Sequence, residues 1–378
     1  REEGRRYWSP KAGVNRAATL QTTQMQYIQL TTSNTATYEN TFGKNSLRIL
    51  AGQEANSRDY VENYQYSTNL NEDIPYHVGG NSTNDMEYAT NRRTMLSFFG
   101  IADWNYDSRY YLQASIREDG SSLFGENSRW GTFYSVGASW NISNEAFMSN
   151  VEFVDFLKLR FSYGLNGNNN ISPYRQYGLY GTVSYNGISG MYPSSPANDD
   201  LSWEKNRAIN VGLDFRFFKN FYGSIDVYKR TTEDMLLYKS ISRTSGFSSA
   251  LMNIGSMDNK GIELQLDYDV INKKDLKWTV GFNIAHNVTK ILDLGDDETL
   301  NYSEDSRLKH IVGNSLYTFW LKEYYGVNPV NGESLFVAED GSLTNDFNKA
   351  RYIEAGSPEP KYTGGINTTV SWKGITFS

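Results

Sequence analysis

The adjacent acids Glu118 and Asp119, in the stretch REDG, are placed as general acid/base work would need: two carboxyls able to hold different protonation states. No nucleophile or oxyanion-binding set accompanies them, so a solvated loop is the preferred reading. The chain has no cysteine and three scattered histidines, His77, His286 and His310. That excludes a thiolate site, leaves little for zinc, and sets the expectation of no cofactor and no metal. Five tyrosines, Tyr174, Tyr177, Tyr180, Tyr185 and Tyr192, fall in one long polar segment. Sugar rings stack on such aromatics, and so do neighbouring loops or a partner lid. Four more acids, Asp214, Glu263, Asp267 and Asp269, occupy the polar positions of two alternating stretches.

The elements that must position these residues are strands. In LKLRFSYGL, Leu157, Leu159, Phe161, Tyr163 and Leu165 alternate with Lys158, Arg160, Ser162 and Gly164. Side chains of a strand point to opposite faces in turn, so one face is apolar and the other wet. The pattern recurs in RAINVGLDFRF, GIELQLDYDV, TFYSVGASWNI and KWTVGFNIAHNV, and period 2 fits each better than a helical period. These strands run to roughly 10–13 residues, longer than the globular average of about 5–6; about 11 residues tilted by ~45° span some 25 Å, the height of a barrel's lipid band. Connections alternate as well: NYDS, FKN and NKKD are short, whereas Asn166 to about Ser202, about Thr231 to Asp258 and about Ile291 to Ser315 are long. Outer-membrane barrels alternate short periplasmic turns with long external loops in this way. Towards the start, MQYIQLTTS, TATYENTFG and SLRILAGQE read as three strands, followed by one polar loop from about Tyr60 to Asn91.

Composition is consistent with this reading. A net charge of −7 over 378 residues, with no run of Lys or Arg, argues against a nucleic-acid partner. No apolar run reaches the roughly 18 residues of a membrane helix, and mean hydropathy is −0.59. A barrel escapes that test because only every second residue faces lipid. The 15% aromatic content suits interfacial girdles. It also suits a soluble secreted carbohydrate-binding β-protein, which stays open beside a passive porin; an outer-membrane enzyme is disfavoured for want of a catalytic set. Repeats of fixed period are absent, which argues against solenoids and propellers.

Several strings resemble the SusC/RagA family of TonB-dependent outer-membrane transporters of Bacteroidetes-type bacteria. They are REDGSSLFGENSRWGTFYSVGASWNISNEAF, LKLRFSYGLNGNNNISPY, LSWEKNRAINVGLDFRFFKNFYGSIDVYKRTTEDML, NIGSMDNKGIEL, YYGVNPVNGESLF and GSPEPKYTGGINTTVSWKG, covering roughly Met95 to Ser378 in the family's order. The resemblance implies an all-β fold, a large antiparallel transmembrane β-barrel, with residues 1–378 part of one barrel domain. It also implies import of a large nutrient, oligosaccharide or peptide, with a SusD-like surface lipoprotein at the mouth and energy from TonB–ExbB–ExbD. Nothing resembles the family's plug, TonB box or final strands, and the chain runs from Arg1 to a strand-like GITFS, so a barrel incomplete at both ends is expected.

Within that frame Asp214, Glu263, Asp267 and Asp269 would face the lumen, and the five tyrosines are candidate substrate contacts. Gly120, Gly125 and Gly131 are expected where a side chain would clash or φ is positive. Trp130, Trp140, Trp203 and Trp278 are expected at the membrane boundary. Leu213→Arg should be costly, and Gly212→Ser, on the other face, mild.

Overall fold

The computed structural model describes residues 2–8, 18–70, 76–77, 84–302 and 305–378. Thirteen strands pair in consecutive antiparallel order. They are β1 (Glu2–Trp8), β2 (Ala18–Phe42), β3 (Asn45–Leu70), β4 (Asn84–Tyr106), β5 (Tyr110–Ser121), β6 (Trp130–Asn141), β7 (Val154–Asn168), β10 (Glu204–Phe217), β11 (Phe221–Glu233), β14 (Ser256–Lys273), β15 (Leu276–Asp293), β23 (Tyr362–Trp372) and β24 (Ile375–Phe377). The long connections hold smaller pieces: hairpin β8 (Leu179–Tyr185) with β9 (Ile188–Ser195), and hairpin β12 (Leu236–Ser240) with β13 (Ser249–Asn253). Between β15 and β23 lie β16 (Thr299–Asn301), β17 (Leu308–Ile311), β18 (Thr318–Lys322), β19 (Tyr324–Val327), β20 (Ser334–Val337), β21 (Leu343–Thr344) and β22 (Tyr352–Glu354). Helix among the described residues is confined to single 3₁₀ turns.

Register carries the alternation from strand to strand. Leu159, Leu213, Ile225, Leu264 and Ile284 form one apolar rung across β7, β10, β11, β14 and β15. The next rung along is Arg160, Gly212, Asp226, Glu263 and Ala285. One face of the sheet is therefore apolar over several rungs, and it stays open: Leu159 is 40% and Val211 45% exposed, and neither joins a buried cluster. A soluble monomer rarely leaves an apolar surface of this extent uncovered.

That apolar face has two rims. At the short-turn end the rings of Trp104, Tyr106, Tyr110 and Trp140 stack in succession, with centroids 6.3–6.4 Å apart, and Phe147 packs edge-on to Trp140. Phe153, Phe215, Phe217, Phe218 and Phe221 continue the belt. At the long-loop end the same face turns charged: Arg92, Glu118, Arg207, Lys229, Lys260 and Lys290 stand on the strand positions that are apolar lower down. About ten residues separate the rims on β10 and β14, roughly 33 Å along a strand and 23–27 Å in height at a 35–45° tilt. Hydrocarbon fits between them.

Two sequence expectations are corrected here. MQYIQLTTS and TATYENTF belong to one 25-residue strand, β2, rather than two, SLRILAGQE is only the first part of the 26-residue β3, and β4 reaches 23 residues. The expected loop from Tyr60 to Asn91 is strand up to Leu70 and again from Asn84; residues 71–75 and 78–83 lie outside the described residues. The reason is physical: above the charged rim both faces of a strand meet water, so alternation vanishes while the ladder continues. The ion pair Arg92–Asp59, on the apolar parity of β4 and β3, marks where that regime begins.

The buried cores lie at the long-loop end. Phe124, Phe133, Leu201 and Trp203 cluster against Met95, Leu165, Ile171, Leu236 and Leu251. Ile291, Leu294 and Leu300 cluster against Leu237, Ile254 and Leu316. Asn253 clamps two connections, accepting from the Ser202 backbone N–H and donating to the Ser202 carbonyl, both at 2.8 Å.

Candidate transport lumen

The four acids of the alternating stretches share the polar face. Asp214 receives both ends of the Arg160 guanidinium, Nε and Nη2 each at 2.8 Å, and Nη2 also donates to Asp226 at 2.9 Å. Gly212 sits beneath this triad: a Cβ there would lie 2.5 Å from Asp226 Oδ1 and 2.6 Å from Arg160 Cζ. Gly212→Ser would make these two side-chain ends swing aside without meeting backbone, a contact that parity did not reveal, since it says which face a residue occupies but not what crosses over it. Asp267 accepts from Gln265 Nε2 at 3.0 Å and Asp269 from Thr279 Oγ1 at 2.8 Å. Glu263 stands in the rung between Asp226 and Ala285.

Further along the polar face, Arg48 bridges Glu39 and Asp103 at 3.0 and 3.1 Å, and Gln113 donates to Asp103 at 2.6 Å. Arg117 bridges Glu54 and Asp119 at 3.3 and 2.6 Å. A basin of about 560 Å³ lies over Arg48, Asp103, Tyr111, Gln113, Lys158 and Arg160. Sequence reasoning passed over Arg48, Asp103, Arg160 and Asp226. Parity could have found Arg160, which it already placed opposite the apolar set.

Glu118 and Asp119 are strand residues rather than a solvated loop, and they point to opposite faces of β5. Asp119 is buried beside Arg117, while Glu118 accepts from the Thr132 hydroxyl. Neither can serve the other. The histidines are spoken for locally: His77 bridges Thr22 and Ser67, His286 meets the Lys361 carbonyl, and His310 the Leu316 carbonyl. No group of three metal-ligating side chains occurs among the described residues.

The structure does not gather the five tyrosines into one pocket. Tyr180, Tyr185 and Tyr192 decorate the β8–β9 hairpin, with Tyr192 covering Gly181 and Tyr180 on the opposite face. Tyr174 is tied down: its hydroxyl accepts from the Arg92 N–H at 3.2 Å, and its φ is +69°. Tyr177 is exposed at the hairpin's approach.

Trp203 departs from expectation. It is 4% exposed, packed against Phe124 and Phe133, and its Nε1 donates to the Arg129 carbonyl, so it anchors the loop core and not a membrane boundary. Trp130, Trp140 and Trp278 do stand at strand ends on the apolar face. Gly120, Gly125 and Gly131 are all cases of close approach, to Trp130, the Asp199 carbonyl and Phe133, and none has positive φ.

At the short-turn end Glu145 accepts from Tyr110 Oη at 2.5 Å, Trp140 Nε1 at 3.0 Å and Arg109 Nη1 at 3.1 Å. These donors, Tyr110 first, hold its carboxyl below the usual range.

An alternating sheet with an aromatic belt, a charged rim and an ion-paired polar face is matched over residues 3–373 by the family described as TonB dependent receptor-like, beta-barrel. The chain belongs to that family. It is 31% identical over 315 residues to the TonB-dependent receptor SusC of Bacteroides thetaiotaomicron, covering 77% of this chain and 31% of SusC. It is 33% identical over 296 residues to TonB-dependent receptor P39 of Formosa agariphila, covering 77% and 27%. Superposed on the RagAB peptide transporter it gives a TM-score of 0.82 at 28% identity, over 99% of this chain and 43% of that one. The chain thus spans well under half the length of the relatives it matches. As a TonB-dependent receptor barrel it is an outer-membrane protein of a transporter family.

Proposed function

We propose that the chain forms the wall of an outer-membrane importer for a large nutrient, an oligosaccharide or a peptide. The observation that carries this reading is the polar face, furnished with ion pairs from β2 to β11 and backed by a face that is apolar over several rungs. Such a wall encloses water and faces lipid. In this reading Asp214, Glu263, Asp267 and Asp269 line the lumen, and Tyr174, Tyr177, Tyr180, Tyr185 and Tyr192 stand at the external mouth. Energy reaches the barrel from TonB–ExbB–ExbD through parts of the protein that this chain does not resemble, and a SusD-like lipoprotein caps the mouth. No bond of the substrate is made or broken, and no cofactor is used.

Uptake of labelled oligosaccharides and peptides by cells carrying the full-length transporter tests this. One of the two classes should enter, and its entry should stop when the proton-motive force is dissipated. Entry that persists without that force would instead identify a passive porin.

A further inference from the structure

The charged rim is not uniform. On β10 the cations are neutralised within it: Arg207 pairs with Glu233 at 3.2 Å and Lys205 with Asp234 at 2.9 Å. Beside them three cations stand almost without counterions. Lys229 of β11 and Lys260 of β14 are direct cross-strand partners on one face, an arrangement that like charges disfavour. One carboxylate serves both: Asp258 lies 3.0 Å from Lys229 Nζ and 3.9 Å from Lys260 Nζ, and accepts from Thr231 Oγ1 besides. Lys290 of β15, opposite Asp258 in register and exposed, has no carboxylate partner among the described residues. Three positive charges against one negative leave a local excess of two on a chain whose net charge is −7.

Its position selects the occupant. Below the lysines on the same face, Val227 and Ile262, and Ile284 one rung further down, are open apolar surface running into the hydrocarbon-facing band; Val288 stands level with Lys229 and Lys260, and His286, stacked on Tyr362, completes the Val227–Ile262 rung. The lysines end that band at the long-loop end, which an outer-membrane barrel directs outward. A ligand held here has acyl chains on the valine and isoleucine rungs and an anionic group at the height of the ammonium groups. We propose that Lys229, Lys260 and Lys290 form a binding site for the phosphate of a phosphorylated outer-leaflet lipid. Lysine suits a tetrahedral phosphate as a mobile point charge, and basic side chains near a membrane surface hold anionic headgroups additively.

The full-length transporter, reconstituted with outer-leaflet glycolipid and washed in mild detergent, provides the test. Lipid retained per barrel should fall about tenfold or more in Lys229→Gln/Lys260→Gln/Lys290→Gln. The same fall should follow when the wild type is given enzymatically dephosphorylated lipid, an arm that does not depend on the variant folding. Lys273→Gln/Lys274→Gln/Lys277→Gln, with equal charge removed at the short-turn end, should retain lipid as the wild type does. Undiminished retention by the first variant, or of dephosphorylated lipid, would overturn the site. So would displacement of the lipid by an equal concentration of inorganic phosphate, which would show a free-anion site instead.

Discussion

Glu145 gives a reason for a spacing that the sequence shows only as letters. Trp140, Glu145 and Phe147 follow one another through two 3₁₀ turns, which fold the carboxylate back onto the indole N–H of Trp140 and the hydroxyl of Tyr110. The carboxylate fixes aromatic rings at the boundary and joins the turn before β5 to the connection after β6. Glu145→Gln should lower the melting temperature of the folded barrel. Because the native pKa is depressed, the stabilisation is present above the ordinary value near 4.5 and is lost as pH falls through the native value. The melting-temperature gap between wild type and variant should therefore be full near neutrality and close in acid; a gap independent of pH would contradict the clasp. On the polar face, Gly212→Ser should cost no more than about 1 kcal/mol, since its Cβ meets only the movable ends of the Arg160 and Asp226 side chains. Denaturant titration in detergent would measure this.

At the scale of elements, the apolar rungs and the loop layer fail differently. Leu213→Arg places a charge within the lipid band and should cost roughly 2–4 kcal/mol, whereas Asn210→Ser, on the polar face, should stay within about 0.5 kcal/mol. The same folding titration distinguishes them. Trp203→Ala removes the largest side chain of the loop core, and a loss of about 3–5 kcal/mol should fall on that layer. Limited proteolysis should then cut residues 166–203 faster while the strands stay protected. Strands with one face in lipid and one in water were legible, because period 2 is strongest where the two solvents differ most. The upper halves of β2, β3 and β4 were not, because there the solvents are alike. Trp203 was misplaced because a tryptophan near a strand end reads the same in a girdle and in a loop core; only the approach of Phe124 and Phe133 from distant connections decides. The Arg160 triad was half legible, its face evident and its partners hidden in register.

For the whole molecule, the rims set what the cell exterior can touch. Single cysteines at Arg92 and Val211, introduced into a chain that has none, should behave oppositely towards a membrane-impermeant maleimide on intact cells. Arg92→Cys, at the ion pair above the band, should label readily; Val211→Cys, on an apolar rung, should resist. Equal labelling would place the membrane elsewhere. The long strands carry a further consequence. β3 alone extends about 86 Å, some 60 Å in height at ~45°, against roughly 25 Å of hydrocarbon. One flank of the molecule thus stands as a parapet clear of the headgroup sugars around it, so bulky agents approaching from outside, antibodies or phage tail fibres, should collide with the crests of β2, β3 and β4 before they reach the lower flank formed by β5 and β6.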